Sequence, residues 1–251
     1  MQPGQIIAMG GGGFLMEPDN PLLDRYVLAA TGKRRPRVCF VPTAAGDAIS
    51  FIDRFFDAFT KDICEPTFLS LFSRKVDDLA AFLSEQDLVY VSGGNTVNLL
   101  AVWRAQKMDV AVREALAAGT IFCGLSAGAL CWFERGITDS YGPDLQPLMN
   151  GLGFLPGAFS PHYDSDWRRP FVWPDFVAKY GGPAIAAEDG VALHFRDGEL
   201  VRAVSSRPMA RAYRFEVADG GVRQETITPE YLGDPAPPAP LPNIENSGGG
   251  M

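Results

Sequence analysis

The chain has 251 residues, of which 47% are hydrophobic, and its formal net charge is −8. This length and composition can bury a sizeable core within one domain. The negative charge argues against nucleic acid and against an anionic membrane as partners, because both favour basic patches. The start MQPGQIIAMGGGG lacks the features of a secretory signal, and no apolar run is long enough for a membrane span. We therefore expect a cytoplasmic protein.

Short apolar runs alternate with amphipathic segments in the first half of the sequence. Runs typical of buried parallel strands are IIAM (6–9), RVCFV (37–41), DLVYV (87–91) and TIFCG (120–124). Helical spacing covers residues 22–30, 51–60, 76–84, 97–106 and 110–118, and then AGALCWF after Gly124. This alternation predicts an α/β fold of three α/β/α layers around a mostly parallel sheet. The reactive loops of such a sheet lie at the carboxyl ends of its strands.

The pattern changes after Ser140. Glycine and proline punctuate residues 141–161, which predicts a long irregular region, and one further helix is expected over residues 174–180. Asp197-Gly198 and Asp219-Gly220 favour tight turns, so we expect antiparallel hairpins at the sheet edge in the C-terminal third. We predict a single α/β domain over residues 1–232. The segment 233–251 is rich in proline and glycine, and we expect an extended or disordered tail.

The stretch Gly124-Leu125-Ser126-Ala127-Gly128 fits the G-x-S-x-G nucleophile elbow, in which small residues permit a sharp turn between strand and helix. The predicted strand and helix supply the required context. We therefore interpret Ser126 as a nucleophile, with a plain tight bend as the alternative.

A nucleophilic serine needs a general base, and the sequence has two histidines. His194 alternates with apolar neighbours, which is typical of a half-buried strand residue. His162 follows Pro161 in a predicted loop, where catalytic groups are often presented. His162 is therefore the predicted base, and an ordinary surface histidine is the alternative.

A carboxylate should orient the imidazole of that base and stabilise its positive charge. Spacing does not choose among the acids available near the histidine or after the serine. The candidates are Asp139, Glu134, Asp164, Glu188 and Asp189.

Glycine-rich loops follow two of the predicted strands. In SGGNT, Gly93 or Gly94 could form an oxyanion hole with the backbone N–H of Ala127. The alternative is a simple turn in which Asn95 or Thr96 caps the next helix. The run GGGG (10–13) lacks the spacing and lysine of nucleotide-binding loops, so we expect a tight loop near the site.

The adjacent Arg168 and Arg169 follow the predicted base closely. A guanidinium can clamp a substrate carboxylate through two parallel hydrogen bonds. A solvated surface pair is the commoner alternative.

The order SGGNT, helix, strand, GLSAGA, helix, TDS and then a Pro-His loop resembles the peptidase E family of serine peptidases over residues 5–216. The resemblance implies a cytoplasmic, hydrolytic domain with a fold like class I glutamine amidotransferases, with serine in place of their cysteine. It also implies cleavage of dipeptides with N-terminal aspartate.

Carried over to this sequence, the resemblance implies that Ser126 is the nucleophile, that His162 is the base, and that Gly93 and Gly94 belong to the oxyanion loop. Asp139 matches the third member of the triad.

Some relatives use glutamate in the third role, so Glu134 and Glu188 stay open. We assign Asn95 and Thr96 to substrate binding, and Arg168 or Arg169 to the aspartate side chain. The expected partner is a small peptide, with no cofactor and no metal, and the expected state is a monomer or a homodimer.

Two other functions are compatible with the sequence. An esterase of the α/β-hydrolase type shares G-x-S-x-G, but its histidine usually lies farther from the serine than His162 does, and no HGGG motif is present. A non-catalytic binding protein on the same fold is the second alternative.

Overall fold

The structure is a computed structural model, and it describes residues 4–218 and 220–234. Within these residues the strands are β1 (Gln5–Met9), β2 (Arg37–Val41), β3 (Glu65–Phe68), β4 (Leu88–Val91), β5 (Ile121–Leu125), β6 (Phe133–Thr138), β7 (Gln146–Leu148), β8 (Leu155–Ser160), β9 (Ala184–Ala187), β10 (Val191–Arg196), β11 (Glu199–Ser205), β12 (Ala212–Ala218), β13 (Gly221–Ile227) and β14 (Glu230–Tyr231). The helices are α1 (Leu22–Ala30), α2 (Ile49–Ala58), α3 (Leu79–Ser84), α4 (Thr96–Ala105), α5 (Met108–Ala118), α6 (Ala127–Leu130) and α7 (Arg169–Tyr180).

The larger sheet has the strand order β14-β11-β10-β1-β5-β4-β2-β3. Strands β1, β5, β4, β2 and β3 run parallel, and β10 and β11 add an antiparallel hairpin beside β1. The predicted α/β fold with a mostly parallel sheet is confirmed. The hairpin turn at Asp197-Gly198 is also confirmed, because both residues have positive φ, as a tight hairpin turn requires.

Side chains of the central strands alternate between two buried clusters, one on each face of this sheet. Along β1, Ile6 and Ala8 belong to the cluster covered by α3, α4 and α5, while Ile7 and Met9 belong to the cluster covered by α1 and α2. Burial on both faces explains why these strands are continuous apolar runs. This is the predicted three-layer arrangement.

A second sheet, with the order β13-β12-β9-β8-β6-β7, was not predicted. Its strands β6, β8 and β9 are parallel, and α7 packs on it through Trp173, Phe176 and Val177. Two predictions were therefore wrong. Residues 141–161 contain β7 and β8 rather than a long irregular region, and the second hairpin, β12 with β13, joins this sheet rather than the edge of the first.

Three helices differ in extent by three residues or more from the prediction, and the first, α3, begins at Leu79 rather than at Val76. The helix after Ser126 ends at Leu130, and Phe133 already begins β6. Helix α7 begins at Arg169, five residues before the predicted start, and keeps Pro174 in its interior. Asp219 of the second predicted turn lies outside the described residues, as does the predicted tail from residue 235 onward.

The two sheets place their parallel strand ends side by side. The carboxyl ends of β1, β4 and β5 in the first sheet lie beside those of β6, β8 and β9 in the second, as the hydrogen bond from His162 N–H to the Gly10 carbonyl shows. Loops from six strands thereby converge on one region. Across residues 4–218 and 220–234, no helix has the length and apolar character needed to cross a membrane.

Candidate active site

Ser126 occupies the turn between β5 and α6. Its backbone has φ 54° and ψ −113°, a conformation that residues with a side chain rarely adopt. The carbonyl oxygen of Ser126 accepts hydrogen bonds from Ala129 and Leu130, and its N–H donates to Met9. These bonds hold a strained residue in place, and strain of this kind is concentrated at functional sites.

The glycines on both sides of Ser126 are required by close backbone contacts. A Cβ on Gly124 would clash with the carbonyl oxygen of Gly128, and a Cβ on Gly128 would clash with the carbonyl oxygen of Val91. Helix α6 therefore packs directly on the ends of β4 and β5. The small residues of the G-x-S-x-G pattern have a steric reason here, which agrees with the elbow interpretation.

His162 lies just after β8, and its imidazole pairs with Asp189 in the loop between β9 and β10. The Nδ1 atom of His162 is 2.6 Å from Oδ1 of Asp189. The backbone is anchored as well, because His162 N–H donates to Gly10 and Tyr163 N–H donates to Ala187. The imidazole is therefore oriented by a carboxylate, as a catalytic base would require.

Asp189 is 4% exposed, and its charged form is nevertheless favoured. Burial by itself would raise the pKa of Asp189. The hydrogen bond and charge of His162, together with Ser165 and the more distant Arg207 guanidinium, outweigh burial and hold that pKa below its ordinary value. Asp189 is thus an ionised partner for the imidazole.

The other acid candidates have different partners. Asp139, which the resemblance placed in the triad, has an exposed carboxylate 4.0 Å from Arg168. Glu134 accepts the N–H of Gly157, and Glu188 accepts the N–H of Arg211 and the hydroxyl of Tyr213. The structure therefore does not place Asp139, Glu134 or Glu188 against His162.

Asp164 also stands apart from the imidazole. Its Oδ1 accepts the backbone N–H of Asp189 at 2.8 Å, so it supports the loop that carries Asp189.

The glycine run 10–13 borders the His162–Asp189 pair, as expected for a tight loop near the site. A Cβ on Gly11 would clash with the carboxylate of Asp189 and would lie 3.0 Å from Cε1 of His162. Gly11 also accepts a hydrogen bond from Gly190. Sequence reasoning did not name Gly11 itself, although the glycine run was the available signal.

Backbone amides near Ser126 are available for an anionic oxygen. Gly94 lines the same cavity as Ser126, and a Cβ on Gly93 would lie 3.4 Å from Cβ of Ser126. Among the described residues, the N–H groups of Gly93, Gly94 and Ala127 have no hydrogen-bond acceptor. The arrangement can accommodate an oxyanion, which needs such donors.

Asn95 and Thr96 form hydrogen bonds within the protein at the start of α4. The side chain of Asn95 caps α4 by accepting from Asn98, and it donates to the carbonyl of Ser140. Thr96 is buried, and its N–H donates to Oγ of Ser140. The structure supports the capping alternative for Asn95, and it gives both residues a contact with the segment after β6 instead of an open position for substrate.

Arg168 and Arg169 share Asp166 but differ in their surroundings. Arg168 forms two hydrogen bonds with the Asp166 carboxylate, at 2.8 and 2.9 Å, and a third with the carbonyl of Pro143. Arg169 is 4% exposed, and its side chain hydrogen bonds within the described residues, to Ile137 and Ser160, all start from Nη1. Arg169 therefore keeps donors free.

One cavity of about 640 Å³ is lined by Ser126, His162 and both arginines. Its lining comprises Gly94, Ser126, Asp139, His162, Ser165, Asp166, Trp167, Arg168 and Arg169. Within the described residues, no hydrogen bond joins Ser126 to His162, although both face this cavity. Asp166 and Trp167 were not identified from the sequence, although both follow the predicted base by a few residues.

His194 lies in β10, as predicted, with Nδ1 2.8 Å from the hydroxyl of Tyr26 and Nε2 3.1 Å from Gln5. Burial foremost, aided by Arg196 and Arg202, lowers the pKa of His194 to about 4. His194 is therefore a neutral structural residue near pH 7. Across the described ranges, no group of three or more His, Cys, Asp or Glu side chains is arranged to hold a metal ion.

Comparison with protein families shows a match to the model of peptidase family S51 over residues 6–203. The chain is 47% identical over 230 residues to "Uncharacterized peptidase YgaJ" of Bacillus subtilis (strain 168), covering 91% of this chain and 99% of that protein. It is 28% identical over 140 residues to "Peptidase E" of Shewanella denitrificans, covering 52% of this chain and 59% of that protein.

Comparison with solved structures identifies the same fold in a peptidase from an acI-B1 Actinobacterium. The TM-score is 0.60 at 18% sequence identity, and the match covers 90% of this chain and 97% of the other.

Proposed function

The chain belongs to peptidase family S51, and on that premise we propose that it is a serine peptidase with Ser126 as nucleophile, His162 as base and Asp189 as the orienting acid. The observation that carries the proposal is the convergence of two features on one cavity. Ser126 lies on a strained strand-to-helix turn, and the imidazole facing the same cavity is held by a buried carboxylate 2.6 Å away. The family match also favours a peptidase over the esterase alternative.

The reaction proceeds in two stages. Oγ of Ser126 adds to the scissile carbonyl carbon while its proton passes to Nε2 of His162, and Nδ1–H of His162 donates to Asp189. The N–H groups of Gly94 and Ala127 stabilise the oxyanion. His162 returns the proton to the leaving nitrogen as the C–N bond breaks, and then activates the water that hydrolyses the acyl ester.

The proposed substrates are dipeptides with N-terminal aspartate. Arg169 supports this assignment, because it is a buried cation at the cavity wall with donors that no described residue uses. Asp166 Oδ2 already lies 3.4 Å from Nε of Arg169. Among the described residues, however, no acceptor is bonded to Nη2, and a guanidinium suits a carboxylate. Arg168 is the weaker candidate, since Asp166 and Pro143 already occupy its donors.

Asp139 is the proposed partner of the free α-amine. It lines the cavity, its side chain is 57% exposed, and its nearest cation is Arg168 at 4.0 Å. An ammonium group near this carboxylate would gain a charge-assisted hydrogen bond. Asp139 would then bind substrate, which differs from the triad role implied by the resemblance.

The test is hydrolysis of Asp-Leu, Ala-Leu and N-acetyl-Asp-Leu by wild type, Ser126→Ala and Ser92→Ala. Ser92 is a matched control, because it is a buried serine at the end of β4 whose hydroxyl has no hydrogen-bond partner among the described residues. We expect the wild type and Ser92→Ala to cleave Asp-Leu preferentially, and Ser126→Ala to lose about four or more orders of magnitude in kcat.

Three outcomes would contradict different parts of the proposal. Activity of Ser126→Ala within a few-fold of wild type would exclude the serine mechanism. Equal cleavage of Asp-Leu and Ala-Leu would exclude the aspartyl specificity alone. Failure of the folded wild type to react with a fluorophosphonate would favour the non-catalytic binding protein.

A further inference from the structure

We propose that Arg207 and Glu17 form a positioning pair that holds the catalytic acid Asp189 in place and keeps the His162–Asp189 pair supplied with a compensating positive charge. Arg207 lies between β11 and β12, and Glu17 lies between the glycine run and α1. Neither residue lines the cavity that contains Ser126. The inference rests on the proposed serine mechanism, because it assigns a role through Asp189.

The two side chains are joined by a short ion pair. Nε of Arg207 donates to Oε1 of Glu17 at 2.6 Å. The other oxygen of Glu17 accepts the hydroxyl of Ser206 at 2.7 Å, and the Glu17 side chain is only 12% exposed. Both oxygens of Glu17 are therefore engaged by consecutive residues, which fixes the orientation of the guanidinium.

The guanidinium of Arg207 is connected to Asp189 through Asp164. Nη1 of Arg207 is 3.8 Å from Oδ2 of Asp164, and Oδ1 of Asp164 accepts the backbone N–H of Asp189 at 2.8 Å. One carboxylate thus links the cation to the residue that orients His162. Loss of Arg207 would leave Asp164 without this partner.

The backbone just after Asp189, at Gly190, is held by the same group of residues. Ser206 N–H donates to the carbonyl of Gly190 at 2.8 Å, and Gly190 N–H donates to Gly11 at 3.0 Å. Cγ of Arg207 also packs against Gly190, only 2.8 Å from where a Cβ would stand. The loop that carries Asp189 is therefore clamped between the glycine run and the segment that begins with Ser206.

Charges of both signs act on the Asp189 carboxylate. Burial disfavours its ionised form, and His162, Ser165 and Arg207 stabilise that form. The carboxylates of Asp164, which accepts the N–H of Asp189, and of Glu17, which pairs with Arg207, are the negative groups nearby. Glu188 is turned toward Arg211 and Tyr213. Removing Arg207 makes the surroundings of the His162–Asp189 pair more negative. The pair should therefore release its proton at higher pH.

A purely structural ion pair would behave differently. Partly exposed pairs contribute little to stability, and their loss does not change the titration of a distant imidazole. The pH dependence of Ser126 reactivity therefore separates a positioning role from a stabilising one.

The experiment measures the rate at which a fluorophosphonate labels Ser126 from about pH 5 to about pH 9. In this reaction the Oγ–P bond forms, fluoride leaves and the serine proton passes to His162, so no peptide specificity is involved. The proteins are wild type, Arg207→Gln, Arg207→Lys and Glu17→Gln. The matched control is Arg202→Gln, which breaks the surface pair of Arg202 with Glu230 at a comparable 2.7 Å.

We expect Arg207→Gln to label roughly tenfold to hundredfold more slowly than wild type at neutral pH, because a misplaced catalytic group is costly. The acid limb of its labelling profile, which is the pH range where the rate falls as pH is lowered, should move to higher pH. Arg207→Lys should keep the limb of the wild type and recover part of the rate, and Glu17→Gln should move the limb to lower pH. Arg202→Gln should match the wild type.

An unchanged rate and an unchanged acid limb in Arg207→Gln would overturn the positioning role while leaving the serine mechanism intact. A slower rate with the limb unmoved in both Arg207→Gln and Glu17→Gln would overturn the electrostatic part. Absence of labelling in the folded wild type would instead overturn the proposed function, and this inference with it.

Discussion

His162 and Asp189 form an imidazole–carboxylate pair, 2.6 Å apart, although 27 positions separate them in the chain. The pair spans the two sheets, because His162 follows β8 of the second sheet and Asp189 begins the turn into β10 of the first. The orientation of the His162 imidazole therefore depends on how the two sheets are joined.

Asp189→Asn should lower kcat by about four orders of magnitude with a small change in KM, because an amide cannot hold the imidazole in the required tautomer or stabilise its charge. The measurement is steady-state hydrolysis of Asp-Leu. Glu134→Gln is the control, since the Glu134 carboxylate accepts a hydrogen bond from Gly157 rather than from His162, and this variant should stay within about twofold of wild type. A larger loss of kcat in Asp139→Asn than in Asp189→Asn would return the acid role to Asp139.

Arg169→Gln should remove the preference for an acidic N-terminal residue. Loss of a charge-assisted hydrogen bond costs about 1.5 to 3 kcal/mol, so kcat/KM for Asp-Leu should fall by about tenfold to about a hundredfold relative to Ala-Leu. Arg168→Gln should change that ratio less, because Asp166 and Pro143 occupy its donors. The ratio of the two substrates is independent of the folded fraction. The reverse ranking of the two variants would assign the carboxylate to Arg168.

Gly128→Ala should disturb the turn at Ser126, because the new Cβ would clash with the carbonyl oxygen of Val91. We expect a loss of about 1 to 3 kcal/mol in the free energy of unfolding and a large fall in the fluorophosphonate labelling rate. Urea denaturation and labelling measure the two effects. Gly142→Ala is the matched control, since no described residue other than its chain neighbours lies within 4 Å of the added Cβ. If Gly128→Ala were labelled at the rate of the wild type, the tight packing of α6 would be dispensable for the reactivity of Ser126.

Asp24 should make the protein less stable as pH rises. Burial foremost, with a smaller contribution from Glu17, raises its pKa from 3.8 to about 7 against an opposing hydrogen bond at Phe14. The folded state thus binds the proton more tightly than the unfolded state. Below about pH 4, Asp24 makes its full contribution to the free energy of unfolding. That contribution, roughly 4 kcal/mol, is lost as the pH rises through about 7.

Asp24→Asn should remove this slope and raise the free energy of unfolding above neutral pH. Urea denaturation at several pH values is the measurement. Asp57→Asn, on the exposed side of α2, should keep the slope of the wild type. Parallel pH dependence in wild type and Asp24→Asn would show that Asp24 does not carry the effect.

Local patterns were sufficient for much of the first sheet. The apolar runs of β1, β2, β4 and β5 and the amphipathic helices between them were predicted close to their observed bounds. The second sheet was missed because its strands are atypical. FERGIT and LPGAFS between them contain glycine, proline and charge. They become strands by pairing with each other, as Gly136 with Phe159 shows, and with β7 and β9.

At the site, local sequence did not show which of two adjacent residues of similar chemistry faces the cavity or His162. Spacing did not separate Glu188 from Asp189, and the resemblance kept Glu188 rather than Asp189 as an alternative acid. The structure turns Glu188 toward Tyr213 and Asp189 toward His162. Arg168 and Arg169 were also equivalent in the sequence. Only the start of α7 makes Arg169 buried and leaves Arg168 at the rim.

The sequence by itself determined the α/β class and the strand-to-helix turn at Ser126, and it predicted His162 rather than His194 as the base. These depend on residues close together in the chain, whose sizes and polarities set local conformation. The tertiary structure alone decided that Asp189 faces His162, that Asp139 faces the open cavity and that Arg207 lies behind the acid. These depend on contacts between distant segments, and a change of strand pairing or loop path would alter them without changing any local pattern.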